Sequence, residues 1–152
     1  MPHPKAPALE LPSTDGTLFS LAGATGAPVV VFFYPKDKTP GCTTEAAQFR
    51  DHYKAFRTAG ASILGISRDS LESHASFRQK LELPFELLSD AEETACQAWN
   101  VIKMKNMYGK QVRGIERSTF VVAADATIAK EWRGVKVPGH VDEVLAFVKT
   151  LA

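Results

Sequence analysis

The chain carries only two cysteines, Cys42 and Cys96, among its 152 residues. Two thiols so far apart make no disulfide scaffold. No C-x-x-C pair and no histidine pair accompanies them to make a zinc site. His3, His52, His74 and His140 are scattered without ligand spacing. Each reads as a surface or ordinary packed histidine, so neither metal nor cofactor is expected. Excess charge is missing as well. The formal net charge is +1, so no whole-protein field recruits nucleic acid or an anionic membrane. No run of about 18 apolar residues exists to span a bilayer. The start, Met1-Pro2-His3-Pro4-Lys5, lacks the apolar stretch of a secretory signal, which favours a cytoplasmic location. A structural bridge is then the poorer use of the cysteines, and reactive thiol and inert buried thiol stay open for each. There is no phosphate-binding glycine loop, serine-nucleophile elbow, repeat or low-complexity segment.

What is present is ordinary globular composition, 45% apolar and 23% charged. The length suits one domain over residues 1–152. Residues 1–16 are proline-rich and read as an extended lead-in that turns at Asp15-Gly16. Thr17 to Leu21 follows as a short edge strand. Val29 to Phe33 is a continuous β-branched and aromatic run, expected as a strand buried on both faces. Thr39 as N-cap and Pro40 at the first helical position open a helix. Ala46, Phe49, Tyr53 and Phe56 carry it to a cap at Gly60. Ile63 to Ile66 is a second buried strand. Asp69 with Glu72 suggests a capping box for a helix to about Leu81, stopped by Pro84. Phe85 to Leu88 is a strand, and Asp90 with Glu93 begins a short helix bearing Cys96 and Trp99. Residues 101–116, with Lys103, Lys105, Lys110 and Arg113, read as an irregular basic loop. Met104 and Met107 either pack near the site or anchor that loop. Thr119 to Ala123 and Thr127 to Arg133 pair as a hairpin, and Trp132, like Trp99, reads as a core or sheet-face residue. Val141, Val144, Leu145, Val148 and Leu151 stripe a last helix. Alternation followed by a hairpin implies an α/β fold, with a mixed central sheet flanked by helices on both faces.

Cys42 sits in the first turn of the helix that follows the buried strand. Free amides and the positive dipole end stabilise a thiolate there. The Thr39 hydroxyl can cap the helix and also face the sulfur. Pro35 and Pro40 stiffen the loop and shield one side, and Lys36 and Lys38 raise the local potential. A helix start after such a loop is seldom deep core, which argues against an inert thiol. Ionisation is not enough, however. Lowering a thiol from ~8.5 to ~6 raises its thiolate at pH 7 roughly thirty-fold, near 2 kcal/mol, and costs some nucleophilicity. A donor must also steady the charge developing on a leaving atom, which an arginine does without losing its proton. Arg117, which opens the strand Ser118 to Val122, is the candidate, provided that strand lies beside the one leading to Cys42.

Pro35-x-x-x-Thr39-x-x-Cys42 resembles the peroxiredoxin active-site pattern. The longer run Phe33 to Glu45, FYPKDKTPGCTTE, is similar to the bacterioferritin comigratory protein, or peroxiredoxin Q, branch. The likeness continues at Ile63 to Ser67, Leu87 to Asp90 and Gly114 to Phe120, in order along most of the chain. It implies a thioredoxin-like fold and reduction of hydrogen peroxide and organic hydroperoxides through a sulfenic acid on Cys42. It implies that Thr39 bonds the sulfur and the peroxide, that Pro35 shields the sulfenic acid, and that Arg117 is the active-site arginine. Glu45 matches a position that helps hold the pocket, although an exposed acid stabilising the helix N-terminus explains it equally well.

One departure matters. The same-helix position where many relatives carry a resolving cysteine is Ala47 here, and residues 70–81 contain no substitute. Cys96 is left as a possible resolving residue or as a buried structural thiol. The expectation is therefore an external thiol from thioredoxin, glutaredoxin or a low-molecular-weight thiol, acting on a monomer or weak homodimer. Two other readings compete: a thioredoxin-like disulfide reductase, for which the C-x-x-C is incomplete, and a redox sensor switched at Cys42.

Overall fold

Val29–Phe33 (β3) is the central strand, and all five of its residues are buried. The computed structural model describes residues 4–24 and 26–151, with the backbone alone for Lys105 and Met107. Pro2, His3 and those two side chains, read above, lie outside the described residues. On one side β3 pairs in parallel with Ser62–Ser67 (β4), which pairs in parallel with Glu86–Ser89 (β5). On the other it pairs antiparallel with Ser118–Val122 (β8), which pairs antiparallel with Ile128–Arg133 (β9). The order β5-β4-β3-β8-β9 makes the expected mixed sheet.

Alternation along β3 divides the core. Val30 and Phe32 face a cluster that holds Ala46 and Phe49 of Pro40–Asp51 (α1) and Phe56 of Tyr53–Thr58 (α2). Phe77 of Leu71–Leu81 (α3) and Val141, Val144, Leu145 and Val148 of His140–Lys149 (α5) complete it. Val29, Val31 and Phe33 face the other cluster, with Trp99 and Cys96 around the short helix Thr94–Ala98 (α4). Leu9, Leu11 and Leu21 from the N-terminal segment finish that face.

Several elements differ from their sequence reading, each for a physical reason. The lead-in and the edge strand form their own hairpin, Glu10–Pro12 (β1) with Leu18–Ser20 (β2). Residues 101–116 are mostly two strands, Ile102–Met107 (β6) and Lys110–Ile115 (β7), around a turn with positive φ at Tyr108 and Gly109. Both faces of this hairpin meet largely solvent, so it lacks the alternation that betrays a half-buried strand. Met104 is 60% exposed on it, so it packs against no site. The first helix breaks at His52, whose Nδ1 donates to the Gln48 carbonyl and whose Nε2 meets Asp142 at 2.9 Å. The α3 cap is Ser70, which accepts from the Ser73 amide, because the Asp69 carboxylate is engaged elsewhere. Leu151 lies beyond α5 and is exposed.

Gly65 on β4 has no room for a side chain, since a Cβ would lie 2.7 Å from Leu87 Cδ2 and 2.9 Å from Phe32 Cζ. Gly65→Ala is expected to lower stability by roughly 1–3 kcal/mol through overpacking. A urea midpoint unchanged from wild type at equal slope would refute this.

Candidate active site

The antiparallel pairing of β3 and β8 sets Phe33 opposite Ser118. The strand end leading to Cys42 therefore meets the strand start bearing Arg117, which is the adjacency that the sequence left conditional. Thr39 is extended, with φ −82° and ψ 152°, and Pro40 takes the first helical position, so α1 begins as read. Thr39 does not cap it: its hydroxyl donates to the Lys36 carbonyl at 2.8 Å. With that proton committed, the oxygen keeps its lone pairs free to accept.

Cys42 is 1% exposed. This corrects the view that a helix start after a proline-rich loop stays out of the core. The sulfur is nevertheless not sealed in hydrocarbon, because Arg117 Nη2 donates to Sγ at 3.4 Å. Arg117 Nη1 donates to Glu45 Oε1 at 2.8 Å. Gly41 lets the guanidinium lie against the helix, since a Cβ there would be 3.0 Å from Nη2. Burial works against the charge on Arg117, but Glu45 and Cys42 outweigh it and hold its pKa above the ordinary value.

Glu45 is fully buried, which excludes the exposed helix-capping acid. Burial pushes its carboxyl from 4.5 up to about 7 against the opposing pull of Arg117. Its Oε2 is buried with no hydrogen-bond partner among the described residues. Behind the arginine, His140 Nε2 bonds Thr119 Oγ1 at 2.8 Å, and burial pulls the ring down to about 4. Pro35 is half-buried and borders a surface cleft with Lys36, Arg68, Asp69, Ala91 and Glu93.

The structure thus brings Cys42, Arg117 and Glu45 into contact, with Thr39 at the N-cap and Pro35 in the preceding loop. It does not bring Cys96 to them. Cys96 belongs to the cluster on the opposite face of the sheet and is fully buried. Burial, helped by Asp90, pushes that thiol well above its ordinary pKa. Both cysteines are free.

A polar cluster escaped the sequence reading. Asp37, Asp69 and His74 bring one potential ligand atom each within 4.8 Å of one another. Those atoms already serve one another and neighbouring groups as hydrogen-bond partners, so the cluster is a network within the protein. Residues 37 and 74 face each other only through the packing of α3, for which no local spacing gives a signal.

A thiol in the first turn of a helix, faced by a guanidinium on a thioredoxin-like sheet, defines a thiol-based oxidoreductase. Among family models, that of the AhpC/TSA family matches residues 2–131. Peroxiredoxin Bcp of Xanthomonas campestris is 51% identical over 95% of this chain and 90% of its own length. Peroxiredoxin Bcp of Bacillus subtilis is 47% identical over 97% and 94%. A solved structure of the Xanthomonas campestris bacterioferritin comigratory protein, which has alkyl peroxide reduction activity, superposes with a TM-score of 0.89. It is 50% identical over 93% of this chain and 90% of that one. The chain belongs to the AhpC/TSA family and is a peroxiredoxin, a thiol peroxidase.

The raised Glu45 carboxyl has a measurable consequence. Between pH 4.5 and about 7 the native state keeps a proton that the unfolded chain has released, so this group's contribution to stability falls as pH rises through that window. His140 gives the opposite slope, losing stability as pH falls from 6.5 to about 4. The difference between proteins isolates Glu45. Glu45→Gln is expected to gain on wild type by on the order of 3 kcal/mol from pH 4.5 to pH 8. Urea midpoints across that range check it, and parallel curves for the two proteins would contradict it.

Proposed function

We propose that Cys42 is the peroxidatic nucleophile, acting on hydrogen peroxide and organic hydroperoxides, with its sulfenic acid resolved by an external thiol. The observation that carries this reading is Arg117 Nη2 donating to Cys42 Sγ at 3.4 Å. The thiolate attacks the terminal peroxide oxygen in line with the oxygen–oxygen bond. A sulfur–oxygen bond forms, the oxygen–oxygen bond breaks, and an alkoxide or hydroxide leaves and takes a proton. Arg117 and the free amides of the first turn of α1 stabilise the charge moving onto the leaving oxygen. Thr39 accepts the hydrogen bond of the peroxide O–H, because its own proton is held by Lys36. Pro35, with no amide proton, shields the sulfenic acid, and Glu45 orients the guanidinium.

The sulfenic acid then condenses with a thiol, forming a mixed disulfide and releasing water, and a second thiol reduces that disulfide. Ala47 at the same-helix position and Cys96 behind the sheet favour a thiol supplied from outside. Thioredoxin, glutaredoxin and small thiols fit that role. The activity of the Xanthomonas campestris relative supports alkyl hydroperoxides as substrates. Residues 1–152 act as one unit built around one five-stranded sheet, in a reducing cytoplasm where both thiols stay free.

Cys42→Ser is expected to abolish peroxide consumption, and Arg117→Ala to lower the second-order rate of Cys42 oxidation by roughly 10²–10³. Cys96→Ser is expected to turn over like wild type. Intact mass after stoichiometric hydrogen peroxide tests the resolution step. One added oxygen fits an external thiol. Loss of two hydrogens in wild type, with Cys96→Ser inactive under every reductant, would overturn it.

A further inference from the structure

We infer that Asp37, Tyr34 and His74 form a buried clamp that positions the loop ahead of Cys42, and that the clamp sets how fast the sulfur is oxidised. This rests on the reading of Cys42 as the peroxidatic thiol. The loop runs from the end of β3 to the cap of α1, residues 34–39. It carries strain: Lys38 holds φ 66°, a left-handed conformation without a glycine. Such a conformation persists where the surroundings over-determine it.

Asp37 supplies that determination from the middle of the loop. Its Oδ1 accepts from the Tyr34 hydroxyl at 2.6 Å. Its Oδ2 accepts from Ser73 Oγ at 2.8 Å and faces His74 Nδ1 at 2.7 Å. Its backbone amide donates to Asp69 Oδ2 at 2.9 Å. Tyr34 opens the same loop, and the other partners come from α3 and from the residues just after β4, so one aspartate folds the loop on itself and ties it to two elements. His74 Nε2 reaches a third, the Leu88 carbonyl on β5, at 2.9 Å.

The Leu88 carbonyl can only accept, so His74 Nε2 donates to it. Burial raises the Asp37 carboxyl, but the bonds from His74, Tyr34 and Ser73 outweigh it and keep the group ionised. A carboxylate can only accept, so Asp37 serves Tyr34, Ser73 and the His74 ring as the common acceptor. Burial holds Tyr34 well above its ordinary pKa, so its hydroxyl remains a donor. The result is a buried histidine–aspartate pair, with Tyr34, Asp37 and His74 all at most 5% exposed.

A buried pair of this kind contributes little net stability compared with apolar packing, because desolvation offsets the attraction. Its directional bonds do fix geometry. The Lys36 carbonyl, one residue before Asp37, takes the Thr39 hydroxyl, so the clamp passes to the N-cap and through Pro40 to the turn holding Cys42. The other charges near the clamp are Asp69, and Lys38, whose Nζ donates to Ser76 Oγ at 2.8 Å. Tyr34, Asp37 and His74 are positioning residues: they act through the loop and touch no reacting atom.

The test measures two rates at Cys42 in wild type, Asp37→Asn and Tyr34→Phe. One is oxidation by hydrogen peroxide in stopped flow; the other is alkylation by iodoacetamide. The expected result is a split: oxidation at least tenfold slower in Asp37→Asn, and alkylation at least threefold faster, because a loosened loop exposes a sulfur that is 1% exposed in wild type. The double variant should be no slower than Asp37→Asn alone. Thermal melts confirm folding at the assay temperature, and Tyr34→Phe carries the test if Asp37→Asn does not fold. Both rates within twofold of wild type in a folded variant would overturn the clamp. So would both rates falling together with stability, since that is what a merely structural role gives. Wild type separates this from the broader reading: if its Cys42 is not oxidised at all, the peroxidatic assignment fails and the clamp with it.

Discussion

One guanidinium organises this site. Arg117 spans Glu45 and Cys42, and the antiparallel register of β3 and β8 puts it there. It joins two side chains of one helix, three residues apart, to a strand far away in sequence. The contact is close because Gly41 leaves its flank open, where a Cβ would press on Nη2 at 3.0 Å. The arginine is also only partly neutralised. Burial raises the Glu45 carboxyl well above its ordinary range, so it neutralises Arg117 less than a solvated acid would and more of the cationic character remains for the sulfur. A fully ionised, solvated acid at that position would hold the arginine as well but would compete more strongly for its charge.

The sheet also works as a partition. Alternation along β3 sends Phe32 and Phe33 to opposite cores, and the two cysteines follow opposite faces. Cys42 belongs to the face of α1, where it meets a cation. Cys96 belongs to the face of α4, where Asp90 and burial keep its thiol protonated. A bridge between them would have to pass the central strand, all of whose residues are buried. The two thiols therefore differ in environment, not in chemistry, and only the first is placed for nucleophilic work.

What the sequence made legible follows from range. The β3 run, the Thr39-Pro40 helix start and the α5 stripe depend on neighbours a few residues away, and each appears where local rules put it. Arg117 was visible as a residue type in a strand start, but its contact with Cys42 required the order of the sheet. The Asp37–His74 pair was not visible, because it forms only when α3 packs beside the loop. The β6–β7 hairpin was missed for another reason: strands with solvent on both faces carry no core pattern, and only the tight turn at Tyr108-Gly109 marked them. Burial of Glu45 was hidden too, since a glutamate near a helix start is ordinarily solvated.

Burial of the sulfur has a consequence for the order of events. A peroxide is small enough to reach a sulfur with 1% exposure through slight local motion. A thiol on another protein is not, because forming a disulfide needs a second sulfur in line, about 2 Å away, with its own backbone behind it. If Cys42 acts as proposed, the closed arrangement that serves the first step obstructs the second. The two demands fall on the same loop and first helical turn, and they oppose each other: firmer anchoring sharpens the meeting of thiolate, peroxide and arginine, while looser anchoring opens the path to a reductant. On the proposed reading, a loop tied by directional hydrogen bonds to a buried histidine–aspartate pair answers both. Such bonds hold one geometry closely while contributing little net free energy, so the turn can be well placed in one state without being prohibitively costly to release.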